Sequence, residues 1–228
     1  MVWQILQISL SVAICAVLAA LVPAVAAAYV LARFSFSGKS LVEALCYAPL
    51  VLPPVVTGYL LLVLFSRKGW LGRWLADFGI LVPFTWTAAV LAAAVIAFPL
   101  LVRSVRLAVE LVDPRLEEAA AGLGASPWRV FFGITLPLAS PGVLTGTMLA
   151  FARCLGEFGA TITFAGNIQG ETRSIPLAIY TYLQQPDAEA TVWFLVALSL
   201  AVSLAALWGS EVCNRRLRVR LGGAHVGA

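Results

Sequence analysis

No Asp, Glu, Lys or Arg occurs between Met1 and Ala32, and further uncharged runs extend from Ala44 to Ser66, Phe78 to Val102, Val130 to Ala152 and Ala190 to Ser210. Of the 228 residues only 11% are charged, while 61% are hydrophobic; a soluble domain carries about 25% charged residues. That shortage excludes an ordinary water-soluble globule, because a chain of this size must still wet its surface. A membrane-spanning helix needs roughly 20 apolar residues, and each uncharged run is long enough to supply one. The expectation is an all-α polytopic membrane protein with about five spans, at 4–32, 42–65, 84–106, 140–158 and 190–210. Together they form one transmembrane domain over 4–212, followed by a basic tail at 213–228.

Other absences narrow the function. One histidine, His225, is present, and the four cysteines (Cys15, Cys46, Cys154, Cys213) contain no CxxC pair, so neither a metal centre nor a disulfide framework is expected. No Ser/His/Asp set is available for nucleophilic catalysis, and the chain is not expected to be an enzyme. Gly38-Lys39-Ser40 imitates the end of a phosphate-binding loop, but Arg33 stands where the leading glycine belongs, and the required strand context is missing. No nucleotide site and no cofactor follow from this chain; if ATP drives it, another subunit binds the ATP and Mg. The Ala24–Ala28 stretch resembles a signal-peptide cleavage site, but the run before it is too long and lacks a basic start.

The charges that are present concentrate in loops. With the N-terminus outside, Arg33, Lys39, Arg103, Arg106, Arg115, Arg129, Arg215, Arg216, Arg218 and Arg220 lie inside, and Arg67, Lys68, Arg73 and Arg173 outside. Lys and Arg favour cytoplasmic loops, which predicts an outer N-terminus and a cytoplasmic C-terminus. The basic tail reads as an anchor near anionic lipid, not as a nucleic-acid patch. Trp70, Trp74 and Trp86 mark the loop at Ser66–Pro83 as an external one at the membrane surface.

Asp113 to Pro137 is the one substantial polar stretch between spans. Asp113-Pro114 is a helix start, with a capping carboxylate and a proline pre-set for the first helical position. Glu117 and Glu118 follow near the positive end of that helix dipole. Gly122 and Gly124 end the helix, and Ser126-Pro127 launches a second one towards Leu136-Pro137. The result is a helix-turn-helix projection on the cytoplasmic side, suited to docking.

Within the spans, Pro23 is expected to bend the first, and Pro53-Pro54 to interrupt the second. Such a break is tolerated at membrane depth where protein or a watery cavity satisfies the freed groups. Arg153 and Glu157 stand four apart, able to pair on one helix face, and Glu157 sits between Gly156 and Gly159 at an apparent interruption. Ionisable residues at such depth usually face the bundle interior or a pathway. Pro53, Pro54, Arg153, Glu157, Thr161 and Thr163 are therefore the candidate pathway or gate residues. Gly142-xxx-Gly146 has small-residue spacing for close helix approach, and Ile175–Leu183 reads as an amphipathic helix on the outer mouth.

The stretch Glu118-Ala119-Ala120, Gly124, Ile134 and Leu136-Pro137, at these spacings, resembles the EAA loop of type I ABC importer permeases. Leu50 to Leu60, Gly156 to Phe164, Trp128 to Phe132 and Glu171 to Pro176 are similar to the permeases of bacterial molybdate importers. The resemblance covers nearly the whole chain. It implies that Glu118, Ala119, Ala120, Gly124, Ile134, Leu136 and Pro137 form a coupling loop docked on an ATP-hydrolysing subunit. It further implies a pore of two copies of this chain, two ATP-binding subunits and an external molybdate-binding protein, with transport by alternating access. A sulfate, thiosulfate or tungstate permease is the alternative within the class, and a non-transporting membrane scaffold the alternative outside it. An ion-gradient transporter would show internal repeats and midplane carboxylates; no repeat is found, and Glu157 is the single carboxylate candidate.

Overall fold

Alanine sets the spacing of the bundle. On the first helix Ala13, Ala16, Ala20, Ala24 and Ala28 recur every three or four residues and are all buried, forming one stripe along α1 (Val2–Arg33). The stripe lies against α5 (Trp86–Glu110), whose own Ala88, Ala89, Ala92, Ala93 and Ala97 are buried in turn. Helices in lipid associate through close van der Waals packing, which small residues permit. In the computed structural model, which describes residues 2–222, every element formed by the described residues is helical. From Ser210 onward, Val212 apart, side chains are not described, that of Cys213 included; 213–222 appear only as backbone of the last helix, and His225 with the rest of the tail at 223–228 lies outside the described residues.

The remaining elements are α2 (Lys39–Val51), α3 (Pro54–Phe65), α4 (Trp70–Asp77), α6 (Pro114–Gly122), α7 (Pro127–Val130), a π turn (Phe131–Thr135), α8 (Leu136–Leu155), α9 (Gly159–Phe164), α10 (Ile175–Tyr182) and α11 (Glu189–Gly222). In the apolar window of α5, 61% of residues are buried, against 6% in α11. Helix α5 is thus the axis of the bundle, with α1 and α8 packed on it and α11 outside. Gly142 and Gly146 of α8 face Ala108 and Ser104 of α5, where an added Cβ would come within 2.2 and 2.8 Å of a side-chain carbon. The GxxxG spacing is therefore used for close approach.

Among the described residues, four continuous helical stretches are long and apolar enough to cross a membrane, and α2 with α3 makes a fifth if the bent pair is one span. The two meet at 114° around Leu52-Pro53, so the interruption expected from Pro53-Pro54 is present. The pair runs from pole to pole. Helix α2 starts beside the end of α5, where Glu43 pairs with Arg106 at 2.8 Å. Helix α3 ends beside Phe164, with the Phe65 and Phe164 rings 5.7 Å apart. The Phe164 carbonyl in turn accepts from the Phe84 amide just before α5 begins. Both Pro23 and Pro99 lie within helices that continue through them.

Two local expectations need revision. The stretch 66–83 contains a helix, α4, seated so closely under α3 that a Cβ on Gly72 would collide with the Ser66 carbonyl. The second helix of the polar stretch also does not stop before the next span. α7, the π turn and α8 follow one another without a gap from Pro127 to Leu155. Pro137 lacks an amide proton and its ring opposes the carbonyl four residues back. The π turn just before it, with the Leu136 amide bonded to the Phe131 carbonyl, gives the chain the extra width of an i→i+5 bond.

Candidate functional site

The polar stretch folds as a hairpin whose every turn is set by backbone chemistry. The Asp113 carboxylate accepts from the Arg115 amide at 3.0 Å, capping α6, and Pro114 occupies its first turn. At the other end Gly124 has φ +87°, its amide donating to the Ala121 carbonyl and that of Ala125 to the Ala120 carbonyl. This paired closure needs a left-handed residue at the corner, and glycine adopts it without a Cβ penalty. Pro127 starts α7, although the Ser126 side chain makes no capping bond.

The hairpin faces outward. No residue of α6 is buried; Glu118, Ala119 and Gly124 are exposed, and Ala120 is half-buried. Around them stand Leu123 at 91% exposure, Trp128, Phe132 and Leu116. An exposed face with such large apolar side chains marks an interaction surface. Ile134 and Leu136 lie partly buried, and Pro137 is exposed.

Glu117 turns the other way. Arg33, the last residue of α1, places Nε 3.0 Å from its Oε2 and donates from Nη2 to its Oε1 at 3.0 Å. The same Nη2 donates to the Val112 carbonyl at 2.9 Å, and the Thr135 hydroxyl, fully buried, donates to Glu117 Oε1. Nothing in the sequence announces this cluster, since Arg33 and Glu117 are 84 positions apart.

The candidate pathway residues gather elsewhere. Pro53 and Pro54 form the start of α3, and α3 packs against α9 through reciprocal glycines. A Cβ on Gly58 would lie 2.6 Å from the Ala160 carbonyl oxygen, and one on Gly159 would lie 2.9 Å from Pro54 Cβ. Glu157, 3% exposed, sits in the break between α8 and α9. Its Oε1 accepts from the Ala160 amide at 2.8 Å, and its Oε2 lies 2.7 Å from Arg153 Nη1. Thr161 is buried, while Thr163 returns its hydroxyl to the Gly159 carbonyl. Thr57 Oγ1, buried here too, has no hydrogen-bond partner among the described residues, and Glu157 Oε2 has the Arg153 ion pair alone.

Depth follows from register. Cys154, next to Arg153, bonds the Ala93 carbonyl on α5, seven residues past Trp86 and so about 10 Å along the helix. The Arg153–Glu157 pair therefore stands beside the first half of α5, away from the hairpin. The hairpin is at the opposite end, since Arg153 is about 26 Å along α8 from Leu136. The structure thus separates the sequence candidates into two groups, one on the outward hairpin before α8 and one at the far end of α8 beside α5.

The chain is 52% identical to the molybdenum transport system permease protein ModB of Haemophilus influenzae over 97% of both chains. It is 53% identical to that of Escherichia coli over 96% of both. The sulfate transport system permease protein CysT of Escherichia coli is 40% identical over 86% of this chain and 70% of its own length. The fold is that of a solved inward-facing structure of the MetNI methionine ABC transporter, with a TM-score of 0.70, 17% identity and 95% and 94% of the two chains covered. From Gln7 to Val219 the chain matches, and it belongs to, the family described as the binding-protein-dependent transport system inner membrane component.

Proposed function

We propose that the protein is the permease subunit of a binding-protein-dependent ABC importer and passes molybdate across the bacterial inner membrane by alternating access. The observation that carries the substrate is identity above 50% along almost the full chain to two molybdenum permeases. The sulfate permease, at 40% over a smaller share, supports sulfate, thiosulfate or tungstate as the second reading.

In this reading two copies form the pore, each bound to an ATP-hydrolysing subunit that holds ATP and Mg, and an external binding protein delivers the anion. The chain itself performs no chemistry and needs no cofactor. Glu118, Ala119, Ala120, Gly124, Ile134, Leu136 and Pro137 form the docking hairpin; its outward Leu123, Trp128 and Phe132 support that role. Arg33, Arg106, Arg115 and Arg129 share the hairpin's pole, which supports a cytoplasmic hairpin and C-terminus and a periplasmic N-terminus.

Pro53, Pro54, Arg153, Glu157, Thr161 and Thr163 line or gate the pathway in the same reading. An Arg facing lipid at this depth is costly, so the exposed third of Arg153 faces a wetted space between copies. The unbonded Thr57 Oγ1 supports a place where water or a passing anion completes the bonding, since an orphaned buried polar atom costs about 1–3 kcal/mol.

The test is ATP-dependent uptake of labelled molybdate into vesicles holding the chain with its ATPase and binding protein. Inhibition by tungstate and not by sulfate is expected. Equal inhibition by sulfate moves the chain to the second reading, and no oxyanion uptake by the intact complex removes the substrate assignment. Gly124→Ala separates transporter from scaffold: a transporter loses uptake while remaining inserted and assembled.

A further inference from the structure

The coupling helix α6 has little to rest on. None of its residues is buried. Beneath it runs a cleft of about 740 Å³ between α5 and α8, lined by Leu107, Leu111, Leu116, Leu138, Pro141 and Gly142. A push on α6 therefore cannot pass to the spans by packed side chains under it. Its covalent ends lead to α5 and, through the Gly124 corner, to α7 and α8. Among the described residues, its hydrogen-bonded tie to α1 is Glu117, held by Arg33.

That tie is a four-way joint. The guanidinium on the end of α1 grips the α6 carboxylate with Nε and Nη2 and the carbonyl of Val112, where α5 gives way to α6. Thr135, at the entry to α8, bonds the same carboxylate. The Arg33 and Glu117 side chains are only 14% and 15% exposed, and a two-pronged guanidinium–carboxylate contact fixes orientation as well as distance. One turn earlier on α1, the Tyr29 ring meets the Phe131 ring of the π turn edge-on at 4.9 Å. Elsewhere α1 packs on the bundle through its alanine stripe and the buried Ile8, Val12, Val17 and Leu31, with no further ion pair to the hairpin among the described residues.

We propose that Arg33 is a positioning residue that turns displacement of α6 into movement of α1, so that loss of the Arg33–Glu117 joint uncouples ATP hydrolysis from transport. This rests on the docking role proposed for the hairpin. The joint supplies α1 with a direct link to the coupling helix, in parallel with the path through Gly124 to α8. Lysine in place of Arg33 keeps the charge but loses the fork, and so keeps part of the coupling.

The experiment measures anion uptake per ATP hydrolysed in vesicles carrying the full complex with wild type, Arg33→Gln, Arg33→Lys, Glu117→Gln, and the exchanged pair Arg33→Glu with Glu117→Arg. Expected is hydrolysis that persists in Arg33→Gln and Glu117→Gln while uptake per ATP falls about tenfold, a smaller fall in Arg33→Lys, and partial recovery in the exchanged pair, which regains the ion pair but not the bond to the Val112 carbonyl. Membrane insertion and co-purification with the ATPase are read on every variant. Wild-type coupling in Arg33→Gln overturns the joint. Loss of insertion or of ATPase association that the exchanged pair does not restore also overturns it, by making Arg33 structural alone. A wild-type complex that hydrolyses ATP without taking up anion overturns the docking reading instead.

Discussion

At the corner between α6 and α7 the chain reverses through Gly124, its amides return to Ala120 and Ala121, and the side chains nearby face outward. At the junction of α3 and α9 two helices also begin after a break, but there the space is filled by backbone. Gly58 leaves no room before the Ala160 carbonyl, and Glu157 closes the start of α9 from inside. The first break is surrounded by water and needs only its own backbone bonds. The second is enclosed by other helices, with Glu157, Ala160 and Thr161 buried, and each freed amide and carbonyl there must find a partner in the protein. One break exposes a surface to a partner, and the other seals a layer while keeping a charge pair within it.

The largest effect expected from this contrast is at Gly58. Valine there would put carbon within 2.6–2.8 Å of Ala160 backbone atoms, and overpacking of this kind costs about 3 kcal/mol. A sharp loss of detergent-extracted, monodisperse protein is expected; an unchanged melting temperature would show that the two helices are free to separate. The next effect is at Glu157. Changing it to Gln leaves the Arg153 guanidinium without its carboxylate, at a cost of about 3 kcal/mol. Arg153→Met combined with Glu157→Gln is expected to recover most of the stability and none of the uptake. If the double variant transports normally, the pair is structural and the pathway lies elsewhere.

At the exposed corner the scale is smaller. Gly124→Ala forces a Cβ onto φ +87°, which costs about 1–2 kcal/mol, so the melting temperature is expected to drop only slightly while uptake fails. A drop as large as that of Gly58→Val would erase the distinction between the two breaks. Smallest in stability is Leu123→Ser: at 91% exposure the change is expected to stay within about 0.5 kcal/mol while weakening co-purification with the ATPase. Undiminished co-purification would place the docking contact on Trp128 and Phe132 alone.

The same contrast explains what could be read in the sequence. The hairpin is local: Asp113, Pro114, Gly124 and Pro127 act on neighbours a few residues away, so their residue types state their roles. The Pro53-Pro54 break and the Arg153–Glu157 spacing are equally local and were readable as an interruption and a pair. What brings them together is not. The fit of Gly58 on Ala160, and of Gly159 on Pro54, joins segments about a hundred positions apart through the absence of a side chain, which leaves no pattern. Arg33 is a stronger case, since its charge already had a sufficient explanation in the topology of the loops. Helix α4 escaped because a short amphipathic helix in a Trp-rich loop has the composition of a surface segment. The continuous course from α7 into α8 was hidden by Pro137, which argues for a stop unless the turn before it widens.

That widened turn has an angular consequence. Each residue advances an α-helix by about 100°, and a π turn holds one residue more than the regular helix would need. The side chains of α7 are therefore rotated by about that angle relative to the faces of α8, compared with an uninterrupted helix. Trp128 and Phe132 owe their outward heading to this phase offset. Deleting Gly133 would restore the regular helix and swing both rings by nearly a third of a turn, leaving Glu118, Ala119, Ala120 and Gly124 intact but aimed in a different direction.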